Sequence, residues 1–216
     1  MRMLSLALIA ATAMACSSNY NSTPAPATMP SMTSASSMNS HAALAEAMRK
    51  LWSDHVFYTR LYIISAVNGS ADAQPTAARL LKNQEDIGNA IVPYYGAAAG
   101  QKLTDLLKQH ILIAVDLVSA AKAGDSAKQA DADRRWHQNA ADLATFLSGA
   151  NPNWPRQAVL DMLNQHLALT TREAVDRLQK NYGDDIPNFD AIFNQAMMMA
   201  DTLTNGIIKQ FPAKFS

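Results

Sequence analysis

The sequence predicts an all-α protein, a six-helix up-and-down bundle built from three αα-hairpins. Across residues 43–212 apolar side chains recur at three- and four-residue steps, and no stretch alternates as a strand does. Glycine and proline, which interrupt helices, cluster at Asn68-Gly69, 93–100, Gly124-Asp125, 149–155 and 183–187. The connections are short and the periodic stretches long, which makes consecutive helices antiparallel neighbours.

The first helix is expected near 43–67, where Leu44, Met48, Leu51, His55, Thr59, Tyr62 and Ala66 form one seam that ends at Asn68-Gly69. The second is expected near 74–92, with Pro75 suited to a first turn that has no amide partner to lose. The third, near 101–123, carries Leu103, Leu107, His110, Ala114 and Leu117 on its seam. The fourth, near 126–148, starts from an Asp125/Ser126 cap. The fifth, near 155–180, shows Val159, Leu163, His166, Thr170 and Ala174, and the sixth runs near 188–210 and stops before Pro212.

An internal repeat underlies this pattern. Arg79, Asn83 and Asp86 match Arg135, Asn139 and Asp142 at an offset of 56, and Asp105 and His110 match Asp161 and His166 at the same offset. His55 fits the same place one unit earlier at an offset of 55, so His55, His110 and His166 are equivalent, with the third hairpin less regular. Helices 1, 3 and 5 run in one direction, and at 1.5 Å per residue the three histidines lie roughly 21–25 Å from the same end. Asp86 and Asp142 fall at that height on the return helices, with Asn83, Asn139, Arg79 and Arg135 on the same line. Asp201 comes near this level but out of register, and the Arg79/Asn83/Asp86 line borders the apolar arc of its helix and does not bisect it.

The N-terminus is different material. Residues 1–15 carry Arg2 and an apolar run from Leu4 to Ala11, as a signal peptide does, and Ala13-Met14-Ala15-Cys16 resembles a bacterial lipobox. Cys16, the only cysteine, is therefore expected to be diacylated; the absence of Asp after it favours the outer membrane, facing the periplasm. Residues 16–42 hold no charge and few large aliphatic groups, and read as a disordered tether ahead of a domain at 43–216. Met29, Met32, Met38 and His41 in that tether include ligand types suited to copper(I), but are read as incidental.

With Cys16 assigned to lipid, chemistry falls to the interior polar layer. Three histidines around a common axis suit zinc or copper, with carboxylates or amides orienting their second nitrogens. The expected function is therefore a cell-envelope lipoprotein that binds a small ligand, foremost a transition metal, through His55, His110 and His166, supported by Asp86, Asp142, Asn83, Asn139, Arg79 and Arg135. The alternative is a structural or partner-binding envelope protein in which this layer is only a buried hydrogen-bond network. A catalytic pocket, with His as base and Arg79 or Arg135 holding an anion, is the weaker third. The Glu-x-x-His pairs of a di-iron bundle are missing, as are phosphate-loop, nucleophile-elbow and zinc-protease motifs. Zero formal net charge gives no electrostatic case for nucleic acid.

Residues 51–60, the Asn-x-x-Asp-Ile-Gly stretch at 83–88, His110-Ile-Leu-Ile-Ala and His166-Leu-Ala-Leu-Thr resemble a family of bacterial helical-bundle proteins over residues 48–212. The resemblance implies a helical fold and carries no activity, substrate or ligand with it.

Overall fold

The computed structural model describes residues 32–216, with side chains from residue 40 onward. The expected signal peptide, Cys16 and the first half of the expected tether lie outside the described residues. Six helices follow in order: α1 Met32–Asn68, α2 Ala73–Tyr95, α3 Ala97–Ala123, α4 Ser126–Ala150, α5 Arg156–Leu178 and α6 Tyr182–Gln210. A short 3₁₀ turn, Pro212–Lys214, ends the chain, and no strand occurs among the described residues.

Two boundaries move by more than four residues from the sequence expectation, while α2 runs on three residues past 92, through Pro93, and α3 starts four residues early. α1 begins at Met32, so 32–42 are helix and not tether. No glycine or proline separates Pro30 from Gly69, so nothing breaks the backward propagation of a helix that packing has nucleated further on. His41 then packs edge-on against Phe215 at 5.2 Å. α6 starts at Tyr182 and carries Pro187 within its first two turns, where few intrahelical hydrogen bonds are at stake.

The helix ends follow from local chemistry. Gly69 and Gly124 close α1 and α3 with φ of 70° and 68°. Asp125 caps α4 by accepting from the Lys128 amide at 3.1 Å. The α5 end uses a lysine where glycine is usual: Lys180 has φ 60°, while Asn181 N donates to Asp176 O at 2.8 Å and Lys180 N to Arg177 O at 3.2 Å. A left-handed side chain costs about 1 kcal/mol. Lys180→Gly is therefore expected to raise the urea-unfolding free energy by up to that amount; a lowered value would mean that contacts of the lysine outweigh the strain.

Each helix packs on its chain neighbours, and α6 packs back on α1, so the six form a closed ring. α1 also meets α3 and α5, so the ring has little room at its centre. The apolar seams of the helices fill it. The larger cluster includes Met48, Trp52, Ile87, Leu107, Leu143, Leu163, Met199 and Leu203. Towards the α1–α2 turn a smaller one holds Tyr62, Ile63, Ala77, Val118 and Ala174. In sequence, each of the three histidines lies between residues of the larger cluster and of the smaller one.

Candidate functional site: the histidine layer

His55, His110 and His166 do meet. Their rings are 5.6 Å (His55–His166) and 6.3 Å (His110–His166) apart, and all three side chains are buried. They meet because the closed ring gives the three hairpins a common axis and each histidine lies on its helix's inward seam.

Each ring faces a side-chain amide 29 residues later in the chain. His110 Nδ1 lies 3.0 Å from Asn139 Oδ1, and His166 Nδ1 3.2 Å from Gln195 Oε1. A carbonyl oxygen only accepts, so these two nitrogens carry the ring protons. His55 is reversed: its Nδ1 lies 3.3 Å from Gln84 Nε2, a donor, which puts its proton on Nε2. The indole of Trp136 donates to His110 Nε2 at 3.1 Å, leaving that histidine with both nitrogens engaged.

The amides also staple paired helices. Asn83 Nδ2 donates to Leu51 O at 3.0 Å, Asn139 Nδ2 to Leu106 O at 3.0 Å, and Gln195 Nε2 to Met162 O at 2.9 Å. In every case the carbonyl belongs to the residue four before the histidine, one helical turn away. Gln84 Nε2 also reaches Leu80 O and Asn83 Oδ1. Gln84 Oε1 and Trp52 Nε1 are buried without a hydrogen-bond partner, so the first hairpin is the least satisfied of the three.

Burial holds all three histidines neutral. It is the main cause that lowers His110 to about 3 and His166 to about 4, against the small opposing effect of their amide partners. His55 is also pushed well below the usual imidazole value, first by burial and then by the two neighbouring rings. Such weakly basic, sealed rings make poor general bases at neutral pH. Among the described residues no group of three His, Cys, Asp or Glu side chains is arranged to hold a metal ion. Of the two small cavities beside the layer, one of about 30 Å³ at Trp52, Leu107 and Leu163 is lined by apolar and indole side chains only, and one of about 20 Å³ lies at Ile111, Trp136 and Thr170.

The rest of the expected layer divides sharply. Asn83 and Asn139 are in it, but Asp86, Asp142, Arg79 and Arg135 are not. Asp86 pairs with Lys82 at 2.9 Å, and Asp142 accepts from Gln138 at 3.0 Å, both at the surface. Arg79 lies over the Tyr58 ring and 3.6 Å from Asp54, while Arg135 pairs with Asp131 and Asp116. Asp201 forms a two-pronged surface pair with Arg49. The reason on α2 is angular. At 100° per residue Asp86 and Arg79 sit roughly 100–120° from the centre of the Leu80/Ile87/Ile91 arc, whereas Asn83 sits about 60° from it.

Three partners were not anticipated: Gln84, Gln195 and Trp136. Gln195 was within reach, because the 56-residue offset that links Asn83 to Asn139 links Asn139 to Gln195. A second polar cluster had no local signal. Arg60, Glu173, Arg177 and Asp185 come together from α1, α5 and α6, with pairs separated by 113 and 125 residues.

No protein-family model, curated protein or solved structure matches this chain.

Proposed function

We propose that the chain is a lipid-anchored cell-envelope protein, held through Cys16 at the outer membrane and facing the periplasm, whose helical domain is a rigid structural or partner-binding module. The anchor rests on the lipobox-like sequence at 13–16. No described helix is long and apolar enough to cross a membrane. The observation that carries the structural reading is the closure of the histidine layer: Nδ1 of each ring faces an amide, His110 Nε2 accepts an indole N–H, and every ring is buried. Groups arranged this way set helix register and depth. Phe57, Leu61 and Ile186 are about half exposed, 48%, 49% and 59%, which favours a contact role over a purely internal one.

A second reading, zinc or copper binding, draws on the convergence of the three rings and the amides that orient them. It requires the Trp136 hydrogen bond to break and the rings to turn. One preparation separates the two. Full-length chain recovered from a bacterial envelope is expected to carry a diacylglyceryl mass on Cys16, absent in Cys16→Ser, and no zinc, copper or iron above trace, with no uptake on titration. One metal ion per chain, lost on replacing His110 by Gln, would overturn the structural reading and install the other. An unmodified Cys16 would remove the anchor.

A further inference from the structure

At the α5–α6 corner four charged side chains are packed between three helices. Arg60 of α1 holds Asp185 of α6 with both prongs, at 3.0 and 2.8 Å, and its Nη1 also donates to Glu173 of α5. Arg177 of α5 adds a further contact to Asp185 at 2.8 Å. The two carboxylates are all but sealed, with 1% and 0% of their side chains exposed, while the guanidiniums keep 14% and 18%.

The hydrogen bonds are unevenly shared. Asp185 takes both prongs of Arg60 and an Arg177 nitrogen; Glu173 takes one edge of a guanidinium that Asp185 already neutralises. Two carboxylates on one guanidinium nitrogen, away from water, repel each other, and the less compensated one accepts a proton most cheaply. Outside the cluster, Asp176 is engaged by Asn181 and Arg172.

The corner between these helices is also under tension. Lys180 holds a left-handed backbone, and Asp176 Oδ2 and Arg177 Nε are buried without a hydrogen-bond partner. Arg60 lies 4.5 Å from the centre of the Phe189 ring, and Arg177 lies 5.3 Å from that of Tyr182, so the ion cluster also carries the aromatic residues of early α6.

We infer that this cluster is a proton-operated latch: a proton on Glu173 holds the α5–α6 corner down on α1, and its loss frees the corner. A freed Glu173 would be solvated and ionise as an ordinary glutamate. In the closed corner burial, against the pull of Arg60, pushes it up to about 7. Protonation therefore favours the closed form, and raising the pH from well below 4.5 to well above 7 weakens it by up to roughly 300-fold in all, about 80-fold of that between pH 4.5 and 7. Tyr182, Ile186 and Phe189 would move with the corner, so the proton sets the shape of the exposed face formed by α1 and α6.

Hydrogen exchange of the intact chain, corrected for intrinsic rates, tests this. Amides at 176–190 are expected to open more readily as the pH rises from 5 to 8, while amides beside His110 in α3 do not follow them. Glu173→Gln is expected to keep the corner closed at every pH. Corner opening that falls or stays level with pH would overturn the latch, as would pH dependence that survives in Glu173→Gln. Should that variant fail to fold, carbonyl carbon NMR of the unaltered chain decides: a Glu173 midpoint above about 6 supports the latch, and one near the ordinary glutamate value rejects it.

Discussion

As the pH falls from 6.5 to 4.5 the domain is expected to lose stability at a rate that grows to roughly 2.7 kcal/mol per pH unit, once two net protons are taken up on unfolding. Unfolding releases His55, His110 and His166 to water, where each regains an ordinary imidazole value and binds a proton. In the folded chain they stay neutral, because burial has lowered His110 to about 3, His166 to about 4 and His55 in the same direction. The unfolded state thus binds up to three more protons in this window, the full three towards its lower end, and stability falls as pH falls. Glu173 acts in the opposite sense. Its folded value is raised to about 7, so it already holds its proton in the folded state and cancels one of the three. The window stops at 4.5 because Glu85 and Asp131, held below their usual values by hydrogen bonds from cationic side chains, and Asp125, held down first by the Lys128 amide it caps, add their own losses at lower pH. Urea unfolding at pH 7 and pH 5 reads the effect directly. Glu173→Gln should steepen the dependence to about 4 kcal/mol per unit, the full three protons. A free energy that is level or higher at pH 5 would mean that the histidines are not the neutral, buried groups described.

The second large effect is steric. Gly88→Ala is expected to cost about 3 kcal/mol or more, because α2 and α3 approach through this residue. A methyl on Gly88 would meet Thr104 Oγ1 at 2.0 Å and the backbone oxygen of Gly100 at 2.6 Å. Backbone cannot swing aside as the end of a long side chain can, so the helices must separate. They are joined by the single residue Gly96 and share the core that Ile87, Ile91 and Leu103 fill. Gly149→Ala on α4 is the control: nothing lies within 4 Å of its added methyl. Removing a helical glycine there should stabilise by about 0.5–1 kcal/mol. Equal effects at the two sites would contradict the close approach of α2 and α3.

Much of the fold was legible in local chemistry. Glycine and proline placed the helix ends to within a few residues, except where α1 ran on through 32–42 and α6 began before Pro187. The histidines were legible because each sits in a seam of apolar residues at helical spacing. The surrounding polar residues were not, because a line bordering an apolar arc can fall on either side of burial: Asn83 and Asn139 turned inward, while Asp86, Arg79 and Arg135 reached solvent and found charged partners there and Asp142 met the amide of Gln138. An amide can be buried when both its ends are hydrogen-bonded, whereas an aspartate at the same height has an easier alternative in water.

By itself, the sequence determined an all-α bundle with three histidines at one height, and it raised the expectation of a lipid anchor at the lone Cys16. Both follow from patterns carried within a few helical turns, or from one residue and its immediate neighbours. Only the tertiary structure decided that the three hairpins close around a common axis, that amides and an indole occupy the histidine nitrogens, and that Arg60 meets Glu173 and Asp185. Those contacts join residues far apart in the chain, and their geometry exists only once the helices have packed.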